Sequence, residues 1–435
     1  MNRQSHVTGA ARASRLVLEP VIHRAEDRPA RSVARRVRRA AFAAAVLLAR
    51  LPIAARGQEG ADLFRIINDY PSEGNPGWHE NAQGVTHGTN YWYFTQTLKL
   101  WKVRASSDLD EDADDYASTR EKDLRKVPGL WGQGYDHFGD LGYHQGYLVI
   151  AVTGGEAGVP GVVAIFKASD LSYIGKAVLP GQEEGASGCA VGADGFVYTF
   201  SGPPTFLHKY ALNWSALPDT IDFSRVGDRI ALRKADGSPL DLHYNQGITF
   251  SPDGRYLYLV NGMMTGDSLV SCGGSDSFTE EEMRAHAGIH VIDLQTHRRV
   301  RKSTNGSGLF NYEFHPGYPN CEEPEGLTFW DLDGVPGRHY GAQGQLHVIL
   351  LDNDGPGDSD DVYFKHYTSR IYVNCRAVLP PNGHATRPYK TVEQGINGAW
   401  SGAEIYIQAC VYPESFVADK HVILTATGGS AIIGG

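Results

Sequence analysis

The 435-residue chain contains no Cys-x-x-Cys pair, no Gly-x-Ser-x-Gly, no His-Glu-x-x-His and no Walker loop. Those gaps weigh against zinc ribbons, thioredoxin-type sites, nucleophile-elbow hydrolases, zincins and P-loop NTPases. Nor does any apolar run reach the roughly 20 residues of a membrane-spanning helix. The run from Ala40 to Ala49 stops at Arg50. Helical periodicity is confined to Thr279 to His286. What is present describes a folded chain: 21% charged residues, 10% aromatics, and 51 glycines without the three-residue period of collagen.

The formal charge of -10 hides an asymmetry. Residues 1–56 hold 12 Arg and 3 acidic residues, leaving 28 basic and 47 acidic residues, net -19, beyond them. An acidic body of that kind repels nucleic-acid backbones, whose binding rests on Lys and Arg releasing counterions. The head itself has the order of an export signal, with Arg35, Arg36, Arg38 and Arg39, a short apolar run, then small residues near Ala54 to Gly57. Secretion or periplasmic export is therefore expected, followed by a linker or ring-closing strand over residues 57–82. Five cysteines agree with an oxidising compartment. Cys189, set among small and apolar residues, reads as a buried hydrophobe.

From about Gln83 onward the pattern is all-β: short runs of Val, Ile, Tyr, Phe and Thr between Gly, Pro, Asp and Asn. The runs recur as QGVTHGTNYWYF, FGDLGYHQGYLVIAV, SGCAVGADGFVYTF, QGITFSPDGRYLYLV and EGLTFWDLDG with QLHVILLDND. Their glycines, 84, 139, 188, 247 and 326, are spaced by 55, 49, 59 and 79 residues. Units of about 50 residues, each a small antiparallel sheet, predict a five-bladed or six-bladed β-propeller over 83–368, because stacked blades bury both faces of each sheet. The wide last spacing is assigned to an insertion from Met263 to Ala287, and Leu63 to Ile67 or a segment near Val362 to Tyr367 is available to close the ring. A pair of β-sandwiches is the competing architecture.

On QGITFSPDGRYLYLVNG and EGLTFWDLDG the chain resembles extracellular propellers of the gluconolactonase-like and phytase-esterase-like kinds. The segment 369–435 resembles the opening of a pectate-lyase-like right-handed parallel β-helix, through Tyr372 and Val373, Pro388 to Thr391, a helix near Val392 to Ala399, Ile405 to Ile407, and Tyr412 with Glu414. Within that resemblance Cys375 and Cys410 replace a post-strand residue and a turn glycine, which motivates a Cys375–Cys410 disulfide. Cys272–Cys321 is the other expected pair. Too few coils follow for a full solenoid, and AIIGG leaves an apolar strand edge open, which a truncated gene product, docking on the propeller or a protein partner's strand would explain.

Propeller ligands meet the first residues of the inner strands around the axis. Here those are Gln83, Asp136 with His137, Ser187, Gln246 and Glu325. Convergent oxygens suit a hard cation such as Ca²⁺, so Glu325 is assigned as a metal ligand and, with His137, as a catalytic candidate. Gln83, Asp136 and Gln246 are assigned to ligand binding. A second metal candidate is Asp352 with Asp354 in DNDGPGDSDD; the EF-like spacing of Asp110, Asp112, Asp114 and Glu121 fails for want of the sixth-position glycine. Strand alternation places Asp136, Phe138 and Asp140 on one face and His137 on the other. Two functions stay open: binding of a glycan, small molecule or protein partner at the channel mouth, or a Ca²⁺-dependent hydrolase or lyase. Most tryptophans are expected to pack between blades.

Overall fold

A computed structural model describes residues 5–7, 16–18, 64–399 and 403–434, apart from 73, 155–158, 183–184, 244, 263–285, 306–309, 313–321, 334–340, 353–360 and 419–421. Packing divides the chain into residues 61–370 with 384–386, and residues 1–60 with 371–383 and 387–435.

The larger unit is a five-bladed β-propeller. Its inner strands are Ala82–His87, Tyr135–His144, Cys189–Val191, Asn245–Phe250 and Glu322–Phe329, each opening an antiparallel sheet of at least four strands. The fourth strand of blade five is Arg65–Asp69, which pairs with Asp361–Thr368 and so closes the ring with the start of the propeller sequence. Both closing segments named from sequence thus lie side by side in one blade. The long fourth interval contains no extra blade among the described residues: Gly288–Asp293 and Arg298–Lys302 complete blade four after the insertion.

Period-two alternation explains the stacking, since each blade is apolar on both faces. Leu148, Ile150 and Val152 of one strand join the core shared with blade one, whereas Val149 and Ala151 join the core shared with blade three. Five such cores occupy the five blade-to-blade junctions. Trp78, Trp92 and Trp101 are fully buried in the junction between blades five and one, while Trp131 is exposed at 42%. Aromatic packing therefore accounts for these three rings, and Trp400 lies outside the described residues. Among the described residues buried Cys189 is the free cysteine, with Sγ 3.2 Å from the Val149 carbonyl.

The repeated glycines have a steric cause. A Cβ on Gly326 would lie 2.4 Å from the Gly84 Cα, one on Gly139 1.8 Å from the Ser187 carbonyl oxygen, and one on Gly247 2.7 Å from that of Glu325. Backbone meets backbone around the axis, and only hydrogen fits.

In the smaller unit, Glu404–Gln408 pairs in parallel with Val422–Thr427, and Val411–Tyr412 with Ala431–Ile433. Thr391 caps the helix Val392–Gly398 in a capping box with Gln394, and the Glu414 carboxylate accepts from the Val392 and Glu393 amides at 2.8 and 2.9 Å. Cys375 and Cys410 are disulfide-bonded with a Cα separation of 6.5 Å; Cys272 and Cys321 lie outside the described residues. The edge expected to stand open at AIIGG carries a strand of the same chain: Leu16–Leu18 pairs antiparallel with Ala431–Ile433, and Ser5–Val7 with Val422–Thr427. Apart from those two strands, residues 1–56, read from sequence as an export signal, lie outside the described residues. No helix among the described residues is long and apolar enough to cross a membrane.

Candidate functional site

The inner strands begin on one face of the propeller, called upper here. On that face the imidazole Nε2 of His137 lies 2.8 Å from Gln83 Oε1, joining blades two and one. Gln246 Nε2 donates to Glu325 Oε1 at 3.2 Å, joining blades four and five. Ser187 Oγ donates to the Asn245 carbonyl at 2.7 Å, joining blades three and four. Four of the residues expected at the mouth thus meet in two pairs, Gln83 with His137 and Gln246 with Glu325, whereas Ser187 reaches the Asn245 backbone instead. Half-buried Asp136 stands beside His137 and favours its charged form, but burial is the larger effect and lowers the imidazole pKa. His137 is accordingly neutral at pH 7.

Glu325 is 1% exposed, and besides the bond from Gln246 its carboxyl is hydrogen-bonded to the Glu323 side chain. Burial holds its carboxyl well above the usual carboxylate range, and Glu323, through its charge and its hydrogen bond, and the neighbouring Asp140 carboxyl push in the same direction. Below it the axis is filled by Asp140, which sequence reasoning did not assign to the site. Its Oδ2 accepts the Ile248 amide at 3.0 Å, and burial raises this carboxyl as well, against the backbone amides of Leu141, Ile248 and Val85. Asp140 Oδ1 is a buried oxygen without a partner among the described residues.

Alternation along Tyr135–His144 fails because the strand bulges twice, between Tyr135 and His137 and between Phe138 and Leu141. Phe138 packs into the junction with blade one, while Asp140 turns to the axis. The sequence did hold a signal. The residue after each axial glycine is Val85, Asp140, Cys189, Ile248 or Leu327, four apolar side chains and one carboxyl.

Asp352 is buried at the upper end of Leu346–Asp352, in register with Glu322 and Asp361; Asp354 lies outside the described residues. Among the described residues no group of three or more His, Cys, Asp or Glu is placed to hold a metal ion. Two cavities frame the axis. One of about 320 Å³ adjoins the upper mouth, lined by Thr153, Ser187, Ser201, His243 and Asn245. The other, about 280 Å³, opens on the lower face between Thr86, His87, Tyr143, Phe250 and Phe329, and nothing in the sequence reading anticipated it.

No protein family and no curated protein matches the sequence. Solved structures to which the chain is similar include a GH43 β-xylosidase/α-arabinofuranosidase from a compost microbial metagenome (9% identity, 68% of this chain and 94% of that one, TM-score 0.39). An exo-β-1,3-galactanase from Clostridium thermocellum (13%, 69% and 61%, TM-score 0.39) and an auxiliary nutrient binding protein from Bacteroides thetaiotaomicron (10%, 71% and 77%, TM-score 0.35) are others. At these values the likeness carries no argument, and the site is read from its own residues.

Proposed function

We propose that the upper mouth of the axis binds a neutral, hydroxyl-rich small molecule or glycan, and that the protein does so after export. The observation that carries this reading is the buried Glu325 carboxyl, which accepts from Gln246 and is hydrogen-bonded to the Glu323 side chain. Around it stand an amide, an imidazole and a hydroxyl. With Glu325 held toward the protonated form and His137 toward the neutral one, the mouth offers donors and acceptors with little formal charge. That suits sugar hydroxyls better than phosphate, which calls for Arg, Lys or a metal. The Cys375–Cys410 disulfide is in keeping with an oxidising compartment. The test is titration calorimetry of candidates drawn from a glycan array, with wild type and Gln246→Ala. Binding weakened about tenfold in the variant is expected; equal affinities, or no ligand at all, would refute the reading.

A second reading, a Ca²⁺-dependent hydrolase or lyase, draws support from blade five, where Glu322, Asp352 and Asp361 occupy paired register positions close in sequence to Glu323 and Glu325. In it Glu325 acts as ligand or acid and His137 as base. Turnover of a lactone, phosphoester or polyuronide that EDTA abolishes and Ca²⁺ restores would favour it; EDTA-resistant turnover would exclude the cation.

A further inference from the structure

A separate cleft of about 540 Å³ opens between blades one and two, away from the axial ring. It is built from the first hairpin turn of each blade and the Lys167 to Ser169 turn. Tyr91, Tyr93, Tyr143 and Tyr147 line it with Lys102 and Lys167. Tyr91 and Tyr143 pack against the core between blades one and two and Tyr147 against the next core, with Tyr143 stacked on Tyr93 at 6.1 Å, yet their hydroxyls are not all engaged. The Tyr93 hydroxyl donates to the Ala168 carbonyl at 3.0 Å, whereas the hydroxyls of Tyr91, Tyr143 and Tyr147 find no partner among the described residues.

Lys102 is the more unusual member. It is only 8% exposed, yet no carboxylate among the described residues forms an ion pair with it. Its ammonium donates to the Ser169 carbonyl at 2.5 Å and lies 4.1 Å from the Tyr91 ring centre, on which Arg104 also rests at 5.8 Å. The nearby acid, Asp170, is held by the amide and hydroxyl of Ser172 at 3.0 and 2.7 Å. A shielded ammonium with no carboxylate in contact, on which Asp170 acts only through space, leaves a place beside it for one anionic group. Flat amphipathic rings with free hydroxyls supply what a pyranose needs beside it.

We propose that this cleft binds an anionic sugar, its carboxylate or sulfate at Lys102 and Lys167 and its ring against Tyr143 and Tyr147. The site is distinct from the axial mouth, so the two bind independently. The experiment is calorimetry of the full chain with trigalacturonate, sulfated galactotriose and unmodified galactotriose at two salt concentrations. At least one anionic trisaccharide binds, more weakly at high salt, and more tightly than the unmodified one. Lys102→Gln weakens it about tenfold or more, Tyr143→Phe about two- to tenfold, and Gln246→Ala leaves it unchanged. Should Lys102→Gln lose its near-ultraviolet dichroism, Lys167→Gln takes its place and must also weaken binding. Absence of binding by both anionic sugars, equal affinity for the unmodified one, or wild-type affinity in the folded lysine variant overturns the proposal.

Discussion

Asp140 of blade two accepts the backbone amide of Ile248 in blade four at 3.0 Å, straight across the propeller axis. Non-adjacent blades are thereby tied by one carboxyl that is fully buried. Because burial raises its pKa, the carboxyl is favoured in its protonated form inside the fold. Such a group contributes stability below the unfolded value of about 3.9 that is lost as pH rises through the folded value.

Asp140→Ala leaves the Ile248 amide unsatisfied and is expected to cost about 1–3 kcal/mol. Asp140→Asn keeps an acceptor without the ionisation. Its stability relative to wild type should therefore improve as pH is raised from 4 toward 7. Urea unfolding of both variants at pH 4 and pH 7 checks this, and an Asp140→Asn stability that stays constant or falls relative to wild type over that range would contradict it.

Gly326→Ala places a methyl 2.4 Å from the Gly84 Cα and 2.5 Å from the Val85 nitrogen. Both are backbone atoms of a packed inner strand, so the clash cannot be relieved by a rotamer change. Overpacking of this kind costs typically 1–3 kcal/mol and more where the obstacle is main chain. Gly132→Ala, with nothing within 4 Å of the added methyl, is the control. Thermal unfolding should separate the pair clearly.

The blades were legible because their physics is local: period-two runs, turns and a recurring glycine are written in consecutive residues. The pairing of Gln83 with His137, and of Gln246 with Glu325, was foreshadowed by the shared place of these residues before or near the repeat glycine. Asp140 escaped because bulges break the alternation on which face assignments rest. The tyrosine cleft escaped for a different reason. Tyr91, Lys102 and Tyr143 belong to separate strands, and their meeting depends on how two blades stack, a relation with no signature along the chain.

His290 sets the acid limit of blade four. It is fully buried, its Nε2 lies 2.7 Å from the His286 carbonyl and its Nδ1 3.3 Å from the Arg299 guanidinium, an arrangement for neutral imidazole. Burial depresses its pKa to about 3. A depressed histidine is protonated first in the unfolded chain, so stability is full above about pH 6.5 and falls as pH drops toward 3. Near pH 4.5 the loss approaches ~2–3 kcal/mol from this residue. His208, depressed to about 4 chiefly by burial, adds in the same direction. Urea midpoints of wild type and His290→Gln between pH 7 and pH 4.5 should diverge, with wild type the steeper of the two; parallel curves would refute the assignment.

The ring closes on an ion pair whose weight can be measured. Lys365 Nζ lies 3.2 Å from Asp69 Oδ2, with the lysine side chain wholly buried and the aspartate 15% exposed. The ammonium also lies 5.7 and 5.8 Å from the ring centres of Tyr312 and Tyr363. Asp69 belongs to the strand Arg65–Asp69 and Lys365 to its partner Asp361–Thr368, so the pair fastens the earliest strand of the propeller to its last blade. Removing the acid alone strands a buried cation, which costs about 3–5 kcal/mol in fully buried pairs; the partial exposure of Asp69 sets the lower end as the expectation for Asp69→Ala. Removing both charges abolishes that penalty, and Lys365→Met preserves the aliphatic volume among the aromatic rings. The double variant Asp69→Ala/Lys365→Met should therefore be more stable than Asp69→Ala. A double-mutant cycle by urea denaturation decides: if the two single losses add without coupling, the seam is held by strand pairing and packing, and the ion pair contributes nothing to closure.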